Sequence, residues 1–213
     1  MTRVRVRQHV NPLSQKYRTA IAVPDWSQIY GNVSQPLHLD IGCARGKFLL
    51  QMAPLQPDWN FLGVEIRESL VIEANQQRDR LALNNLHFLF GNMNSTPLLF
   101  LNSLPATLSR VSIQFPDPWF KRRQQKRRAV QPELVATLAE LLVPNADVFL
   151  QSDVLEVAED MRQHFDANDN FINLAGAGNF ADDSIFPEHI PTERESSVIS
   201  QGLPVYRAYF KRK

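Results

Sequence analysis

The sequence predicts an α/β fold built around a mostly parallel β-sheet. Short apolar segments of the strand type alternate along the chain with longer segments in which apolar residues recur at helical spacing. This alternation is typical of parallel strands joined by helices that cover both faces of the sheet. A chain of 213 residues with 44% hydrophobic and 21% charged residues also fits one globular domain with a substantial core.

The predicted elements follow one another after a polar, basic arm. Residues 1–20 form this arm, and we expect it to be either a short strand or disordered until a partner binds. Residues 21–213 form a single domain. Helices are predicted at 46–52, where Pro54 and Pro57 end the helix, and at 68–83, 132–142 and 155–165. Strands are predicted at 36–41, 60–66, 86–90, 110–115, 146–151, 170–175 and 203–210.

Charge is distributed unevenly along the chain, although the formal net charge is only +1. Six of the eight residues at 121–128 are Lys or Arg, whereas residues 153–195 hold eleven acids and two bases. The chain therefore carries a local cationic patch rather than a generally basic surface.

The sequence also indicates a compartment. The single cysteine, Cys43, excludes an internal disulfide and suits a reducing environment. No apolar run approaches the roughly 18 residues of a membrane helix, and the first residues lack the apolar core of a signal peptide. We therefore expect a cytoplasmic protein with no membrane partner.

The most informative segment is F-P-D-P-W-F-K-R-R-Q-Q-K-R-R at 115–128. It follows a short apolar run and places one acid, Asp117, between two prolines and ahead of Trp119. Cations can hold phosphates, an aromatic ring can pack near a base, and a carboxylate can accept hydrogen bonds from a base edge. The segment predicts chemistry on a nucleic-acid base, and the alternative is a solvated basic loop. Trp119 fits a buried anchor for the loop as well as it fits a base platform.

A second set of polar residues comes at the ends of the first three predicted strands. Gly42 and Gly46 flank a tight turn, where missing side chains let a ligand approach the backbone. Glu65 ends the second strand, where an acid can accept both hydroxyls of a ribose, and Asn92 follows the third, where an amide can meet an adenine edge. Asp40 can pair with the ammonium group of S-adenosylmethionine but would repel a dinucleotide pyrophosphate. The alternative is that Asp40 caps the turn and Glu65 is a surface acid.

The chain resembles the bacterial tRNA (guanine-N7-)-methyltransferases in five motifs. They are D-I-G-C-A-R-G at 40–46, G-V-E-I at 63–66, the Asp-Pro-Trp block with its basic run, L-Q-S-D at 150–153, and T-x-x-E followed by P-V-Y-R near the end. The Asp-Pro-Trp block is the specific part of this match. The resemblance implies a Rossmann-like class I methyltransferase fold, with a seven-stranded sheet whose last strand is antiparallel. It also implies that S-adenosyl-L-methionine is used to methylate N7 of a guanine in the tRNA variable loop, giving 7-methylguanosine.

The resemblance further implies roles for individual residues. Asp117 matches the proposed catalytic acid. The cofactor contacts are Asp40, Glu65, Asn92 and Asp117, beside the turn that Gly42 and Gly46 form. The substrate contacts are Lys121, Asp153, Thr192, Glu193, Arg194 and Glu195. The RNA-contacting segment is Arg123, Gln124, Gln125, Lys126, Arg127 and Arg128.

The chain departs from the family pattern at three positions. Asn92 stands where Asp is usual, which leaves a neutral amide near the adenine. Gln124 replaces a common His, which puts in doubt a protonation role there, and Arg194 replaces a frequent Tyr.

Other function classes are less well supported by the sequence. The five histidines show no metal-ligand spacing, so we expect no metal. An amino-methyltransferase acting on adenine or another exocyclic amine would carry a loop similar to D-P-W but with a second proline. A noncatalytic tRNA-binding protein with a degenerate cofactor pocket is the alternative from another class, and a nicotinamide-dependent oxidoreductase fits least. The sequence allows a monomer or a homodimer.

Overall fold

The computed structural model describes residues 10–182 and 190–213, and it contains the predicted sheet. Seven strands lie in the order β3-β2-β1-β4-β5-β7-β6. The strands β1 to β5 pair in parallel, and β7 is antiparallel to both of its neighbours, β5 and β6. Their bounds are β1 Leu37–Ile41, β2 Asn60–Glu65, β3 Leu86–Phe90, β4 Leu108–Gln114, β5 Leu142–Ser152, β6 Phe171–Asn173 and β7 Tyr206–Arg212. The predicted fold class is thus confirmed.

Helices connect these strands and cover the sheet. They are α1 Lys47–Leu55, α2 Glu68–Arg80, α3 Pro97–Leu101, α4 Pro132–Leu141, α5 Leu155–Asp166 and α6 Glu193–Ser200. Four of them were predicted, and α3 was missed because its five residues are too few to show a helical period. The prediction that Pro54 ends the first helix is wrong: α1 continues to Leu55, because a proline in the last turn removes one backbone donor without stopping the turn.

Helix α6 was also missed, although its sequence carries a start signal. Thr192 and Glu195 form a capping box, in which Thr192 Oγ1 accepts from the Glu195 backbone N–H and Glu195 accepts from the Thr192 backbone N–H. The pattern T-x-x-E is the sequence signature of this cap. The motif that the resemblance assigns to substrate contact therefore also starts α6.

Apolar packing on both faces makes the sheet the centre of the core. All residues of β1 and β2 are buried, as expected for parallel strands covered on two sides. At the antiparallel edge, the Phe165 ring lies 5.0 Å from the Phe171 ring and 5.2 Å from the Phe210 ring. Within the described ranges, none of the helices has both the length and the apolar character to cross a bilayer.

The parallel register brings the ends of the strands to one level. Ile41 is opposite Val64 on one side and Ile113 on the other. Gln114 is opposite Gln151. The winding direction changes between β1 and β4, so the edge formed by these carboxyl ends is where a ligand is expected in such a sheet.

Candidate active site

The turn after β1 opens the site. Gly42 and Gly46 have φ values of 82° and 68°, which favour glycine. A Cβ built on Gly46 would lie 2.3 Å from the Phe88 ring, so this glycine is required by packing under the turn. A Cβ on Gly42 would meet nothing within 4 Å, so this glycine faces open space. The two predicted glycines therefore do different things, and Gly42 is the one that borders the cleft.

Two adjoining cavities lie along the strand ends. The first, here the small cavity, has a volume of about 130 Å³ and is bordered by Glu65, Asn92 and Trp119. The second, here the large cavity, has a volume of about 650 Å³ and is bordered by Asp40, Asp153 and Thr192. Both cavities share Gly42, Arg67 and Phe115–Asp117. The predicted residues from β1, β2, β3 and β4 thus surround one cleft, with Asp117 at the junction.

Asp40 is a buried acid with few neutralising partners. It is 4% exposed, and Oδ1 accepts from Ser112 Oγ at 2.6 Å and from Gln114 Nε2 at 3.3 Å. Burial raises its pKa to about 6, the two hydrogen bonds oppose this increase, and the charge of Glu65 adds to it. A cation placed beside Asp40 would be strongly favoured because it would relieve this cost.

Glu65 is held rigidly at the end of β2. Oε2 accepts from the Ala44 backbone N–H at 3.0 Å, and Oε1 accepts from the backbone N–H and Nε of Arg67, each at 2.9 Å. Burial alone would lower the pKa of Arg67, but its hydrogen bond to Glu65 and the charges of Glu65 and Asp117 raise it. Arg67, which the sequence analysis missed, therefore connects two predicted acids electrostatically.

Asn92 has an unexpected set of partners. Its Nδ2 donates to the backbone carbonyls of Pro12 at 3.1 Å and Tyr17 at 3.2 Å, and its Oδ1 accepts from the Asn94 backbone N–H. Val10 and Pro12 border the small cavity. The amide at this position thus holds part of residues 10–20 against the cleft, which an ionised aspartate, having no donor, would not do.

The loop that carries Asp117 has a constrained backbone. Phe115 and Trp119 have φ values of 48° and 43°, which bulky residues rarely adopt. Such outliers occur where surrounding structure enforces them, often at functional sites. The Arg127 guanidinium lies 5.0 Å from the centre of the Trp119 ring. Trp119 is half-buried and borders the small cavity, whereas the next residue, Phe120, is 64% exposed at the edge of the large cavity.

The basic run forms a short 3-10 helix, Arg122–Arg127, and its cations differ in exposure. Lys121, Arg122, Arg123 and Lys126 are exposed, whereas Arg127 is half-buried. Arg128, one of the predicted RNA contacts, differs from these cations: its side chain is 2% exposed and pairs with Glu156 and with Asp160 at 3.3 Å. Gln124 is half-buried, and Gln125 Nε2 donates to Glu156 Oε1 at 3.3 Å. Arg122, which was not among the predicted contacts, is exposed beside them.

The start of α6 borders the large cavity. Thr192, Glu193 and Arg194 line it, and Arg194 is paired with Asp153 while Glu193 is paired with Lys47. Glu195, the last of the predicted substrate contacts, lies beneath the cleft and is 3% exposed. Its oxygens accept from Arg207 Nη2 at 2.6 Å and Gln151 Nε2 at 3.2 Å. It therefore supports the helix start rather than lining the cavity.

Sequence reasoning missed Phe120, Arg67 and the two glutamines Gln114 and Gln151. The only feature of the sequence that points to Phe120 is that this apolar residue directly precedes a run of cations. Gln114 and Gln151 are easier to recognise, since they are polar residues near the ends of otherwise apolar strands. Within residues 10–182 and 190–213, no three His, Cys, Asp or Glu side chains are grouped to hold a metal.

Solved structures share this fold at low sequence identity. The 16S rRNA methyltransferase KamB matches with a TM-score of 0.61 and 16% identity, over 92% of this chain and 95% of that chain. TrmN from Thermus thermophilus matches with a TM-score of 0.57 and 14% identity, over 84% of this chain and 45% of that chain. At this level of identity the comparison concerns the fold alone.

Sequence comparison gives a closer relationship. The family described as "Putative methyltransferase" matches residues 34–208. The tRNA (guanine-N(7)-)-methyltransferase of Microcystis aeruginosa is 59% identical over 212 residues, which cover 99% of each chain. The enzyme of the same name from Synechocystis sp. is 57% identical over 100% of this chain and 99% of its own. Matches of this extent, together with the cleft at the strand ends, place the chain in the tRNA (guanine-N(7)-)-methyltransferase family.

Proposed function

We propose that the protein transfers a methyl group from S-adenosyl-L-methionine to N7 of a guanine in the tRNA variable loop. Two kinds of support agree. The family relationship covers the whole chain. The observation that carries the proposal is the position of Asp117, which borders both cavities. A cofactor extending from Asn92 and Glu65 in the small cavity to Asp40 in the large one would pass Asp117, and a base in the rest of the large cavity would meet the cofactor there.

The residues around the small cavity and the turn fit this cofactor. Open space over Gly42 leaves room for a ligand against the backbone. Buried Asp40 would hold the ammonium group of the methionine part, since that cation offsets the cost of burying a carboxylate. Glu65 would accept hydrogen bonds from the ribose hydroxyls, and Asn92 would lie near the adenine. When bound, this cofactor supplies a methyl group carried on a positively charged sulfur.

Asp117 would act by electrostatic stabilisation. The N7 atom of neutral guanine already has a free lone pair, so its methylation does not require a base. Methylation makes the purine cationic, and a fixed carboxylate beside the ring stabilises that charge as it forms. The constrained loop keeps Asp117 in place before the substrate arrives, so little reorganisation is needed.

The part of the large cavity near Phe120, Asp153 and Thr192 would receive the base. Asp153 and Thr192 provide hydrogen-bond acceptors there, although Asp153 forms an ion pair with Arg194 in this structure. The exposed ring of Phe120 at its edge provides an apolar face for stacking. Outside the cavity, the exposed cations Lys121, Arg123 and Lys126 would contact tRNA phosphates.

Product analysis tests the proposal. Purified protein is incubated with unmodified tRNA and methyl-labelled S-adenosylmethionine, and the nucleosides are separated by mass spectrometry. We expect 7-methylguanosine. Label on an exocyclic amine would support an amino-methyltransferase instead, and tRNA binding without any labelled nucleoside would support a noncatalytic binding protein.

Asp117→Ala tests the assigned stabiliser in the same assay. Loss of a preorganised electrostatic group typically lowers kcat by about 100- to 1,000-fold. We expect this loss with cofactor and tRNA affinities that change far less, and with an unchanged circular dichroism spectrum. Near-normal turnover in this variant would refute the role of Asp117.

A further inference from the structure

A row of polar side chains crosses the sheet at the floor of the large cavity. Asp40 on β1 is opposite Ser112 on β4, and Gln114 on β4 is opposite Gln151 on β5. Gln151 is in turn opposite Arg207 on β7. Because alternate residues of a strand point to the same face, and Ser112 and Gln114 are two apart, the row lies on one face of the sheet.

Hydrogen bonds connect Asp40 through Gln114 and Gln151 to Glu195, and Ser112 and Arg207 bond to the two ends. Ser112 Oγ and Gln114 Nε2 donate to Asp40 Oδ1 at 2.6 Å and 3.3 Å. Gln151 Nε2 donates to Gln114 Oε1 at 2.8 Å and to Glu195 Oε2 at 3.2 Å. The row therefore connects Asp40, on one side of the large cavity, to Glu195, which caps α6 on the other.

The acceptors around the row fix the direction of both glutamine amides. Gln151 faces a carboxylate and a carbonyl oxygen, so it presents its NH₂ group and both of its N–H bonds are used. Gln114 then accepts from Gln151 and presents its own NH₂ group to Asp40. Gln151 is 1% exposed and Glu195 is 3% exposed, so solvent has little access to replace these bonds.

The opposite orientation of Gln151 would bring acceptor against acceptor. Its Oε1 has no hydrogen-bond partner among residues 10–182 and 190–213, which is a cost for a buried carbonyl oxygen. The chain keeps this orientation despite the cost, because only the amide nitrogen satisfies Gln114 and Glu195 together.

We propose that Gln114 and Gln151 are positioning residues that join the cofactor side and the substrate side of the site into one hydrogen-bonded unit. Gln114 orients and stabilises the Asp40 carboxylate, and Gln151 keeps Glu195, and through its capping box Thr192, in place at the start of α6. The roles of the two sides rest on the proposed function, but the hydrogen-bonded row does not.

The pH dependence of cofactor binding reports on the Asp40 end of the row. Burial raises the pKa of Asp40 to about 6, and the Gln114 hydrogen bond opposes that increase. The titratable groups that face Asp40 are Glu65 on β2, Cys43 in the turn after β1 and, through Ser112, His38 on β1. The cations that border the large cavity with it are Arg45, Lys47, Arg67 and Arg194, and the acids are Asp117, Asp153 and Glu193. Only ionised Asp40 attracts an ammonium group. Loss of the Gln114 donor would therefore move the pH at which cofactor binding weakens to a higher value.

Calorimetry with S-adenosylhomocysteine between pH 5.5 and 8.5 tests Gln114→Met, which keeps the length of the side chain and removes its donor. At pH 6.5 we expect affinity about two- to tenfold weaker than wild type, the effect of about one hydrogen bond. At pH 8.5 the difference should nearly vanish. Ser112→Ala, which removes the shorter bond to Asp40, should shift the midpoint in the same direction and provides a second test if Gln114→Met folds poorly.

Gln151→Met tests the other end of the row. We expect KM for tRNA to rise about two- to tenfold, and the effects of Gln114→Met and Gln151→Met on turnover to be non-additive because the side chains are in contact. Gln163→Met, at an exposed position of α5, is the control and should match wild type.

An unshifted pH midpoint in folded Gln114→Met, or additive effects of the two glutamine substitutions, would overturn the inference. If Gln114→Met does not fold, an unshifted midpoint in Ser112→Ala would overturn it. Failure of the proposed function is distinguishable from this. Wild-type protein that binds S-adenosylhomocysteine without producing 7-methylguanosine would refute the function, while the pH midpoints would still report on the row.

Discussion

The strand-end side of the site and its loop side hold charged groups in opposite ways. At the strand ends, Asp40 and Glu65 lie on buried strands whose backbone fixes their direction. In the loop after β4, Lys121 and Arg123 are exposed to solvent, while Arg128 of the same run is buried and paired. The carboxylates at the strand ends are removed from water, which lowers the stability of the fold. The cations of the loop have little effect on stability, except where one is buried among other side chains.

Among the substitutions that test this comparison, Asp40→Asn has the largest expected effect. Losing the carboxylate removes a charge-assisted hydrogen bond to the cofactor ammonium, so affinity for S-adenosylhomocysteine should fall about 10- to 100-fold. The cofactor-free protein should at the same time gain about 1–3 kcal/mol of unfolding free energy at pH 7, since one pKa unit corresponds to about 1.4 kcal/mol. Calorimetry and urea denaturation measure the two effects.

The pKa of Asp40 also determines how the stability of the wild-type protein changes with pH. Burial raises the Asp40 pKa to about 6, above the value of an unfolded chain. Between these values the folded protein holds a proton that the unfolded chain has released, so stability falls as pH rises through about 6. Asp40→Asn should lack that decline, whereas Asp58→Asn at an exposed position should retain it. A variant at Asp40 that is less stable than wild type at pH 7 would break the comparison.

The strand-end side could be predicted from the sequence for a physical reason. Strand periodicity fixes where each strand ends, and parallel register brings those ends together, so Asp40, Glu65 and Asp117 were correctly expected around one cleft. Whether Arg128 was exposed could not be predicted in the same way. That depended on Glu156 and Asp160, which lie about 30 residues away on α5 and do not differ in sequence from solvated acids.

Arg128→Ala and Arg123→Ala separate two members of one cationic run. Arg128 Nε donates to the Pro118 carbonyl at 3.1 Å and its guanidinium pairs with two acids, so its loss should cost about 1–3 kcal/mol of unfolding free energy. Arg123→Ala should change stability by less than about 0.5 kcal/mol. It should instead reduce the slope of log K for tRNA against log salt by about 0.7–0.9, the contribution of one phosphate contact.

The two measurements, denaturation and salt-dependent binding, should give opposite rankings for the two arginines. An Arg128 variant with normal stability and a reduced salt slope would show that this side chain leaves its buried position to bind RNA. It would remove the distinction between packed and solvated cations in the loop.

Phe120→Ala gives the smallest effect we expect, because the ring is exposed and can stack on one face only. One base-aromatic contact is worth about 1 kcal/mol at the low end, so KM for tRNA should rise about fivefold while cofactor affinity stays unchanged. Leu99 on α3 is 65% exposed against 64% for Phe120, so Leu99→Ala controls for loss of an exposed apolar side chain. Phe120→Tyr should retain activity because it keeps the ring. If Phe120→Ala and Leu99→Ala have the same KM for tRNA, the exposed ring has no part in holding the base, and the loop side contributes cations alone.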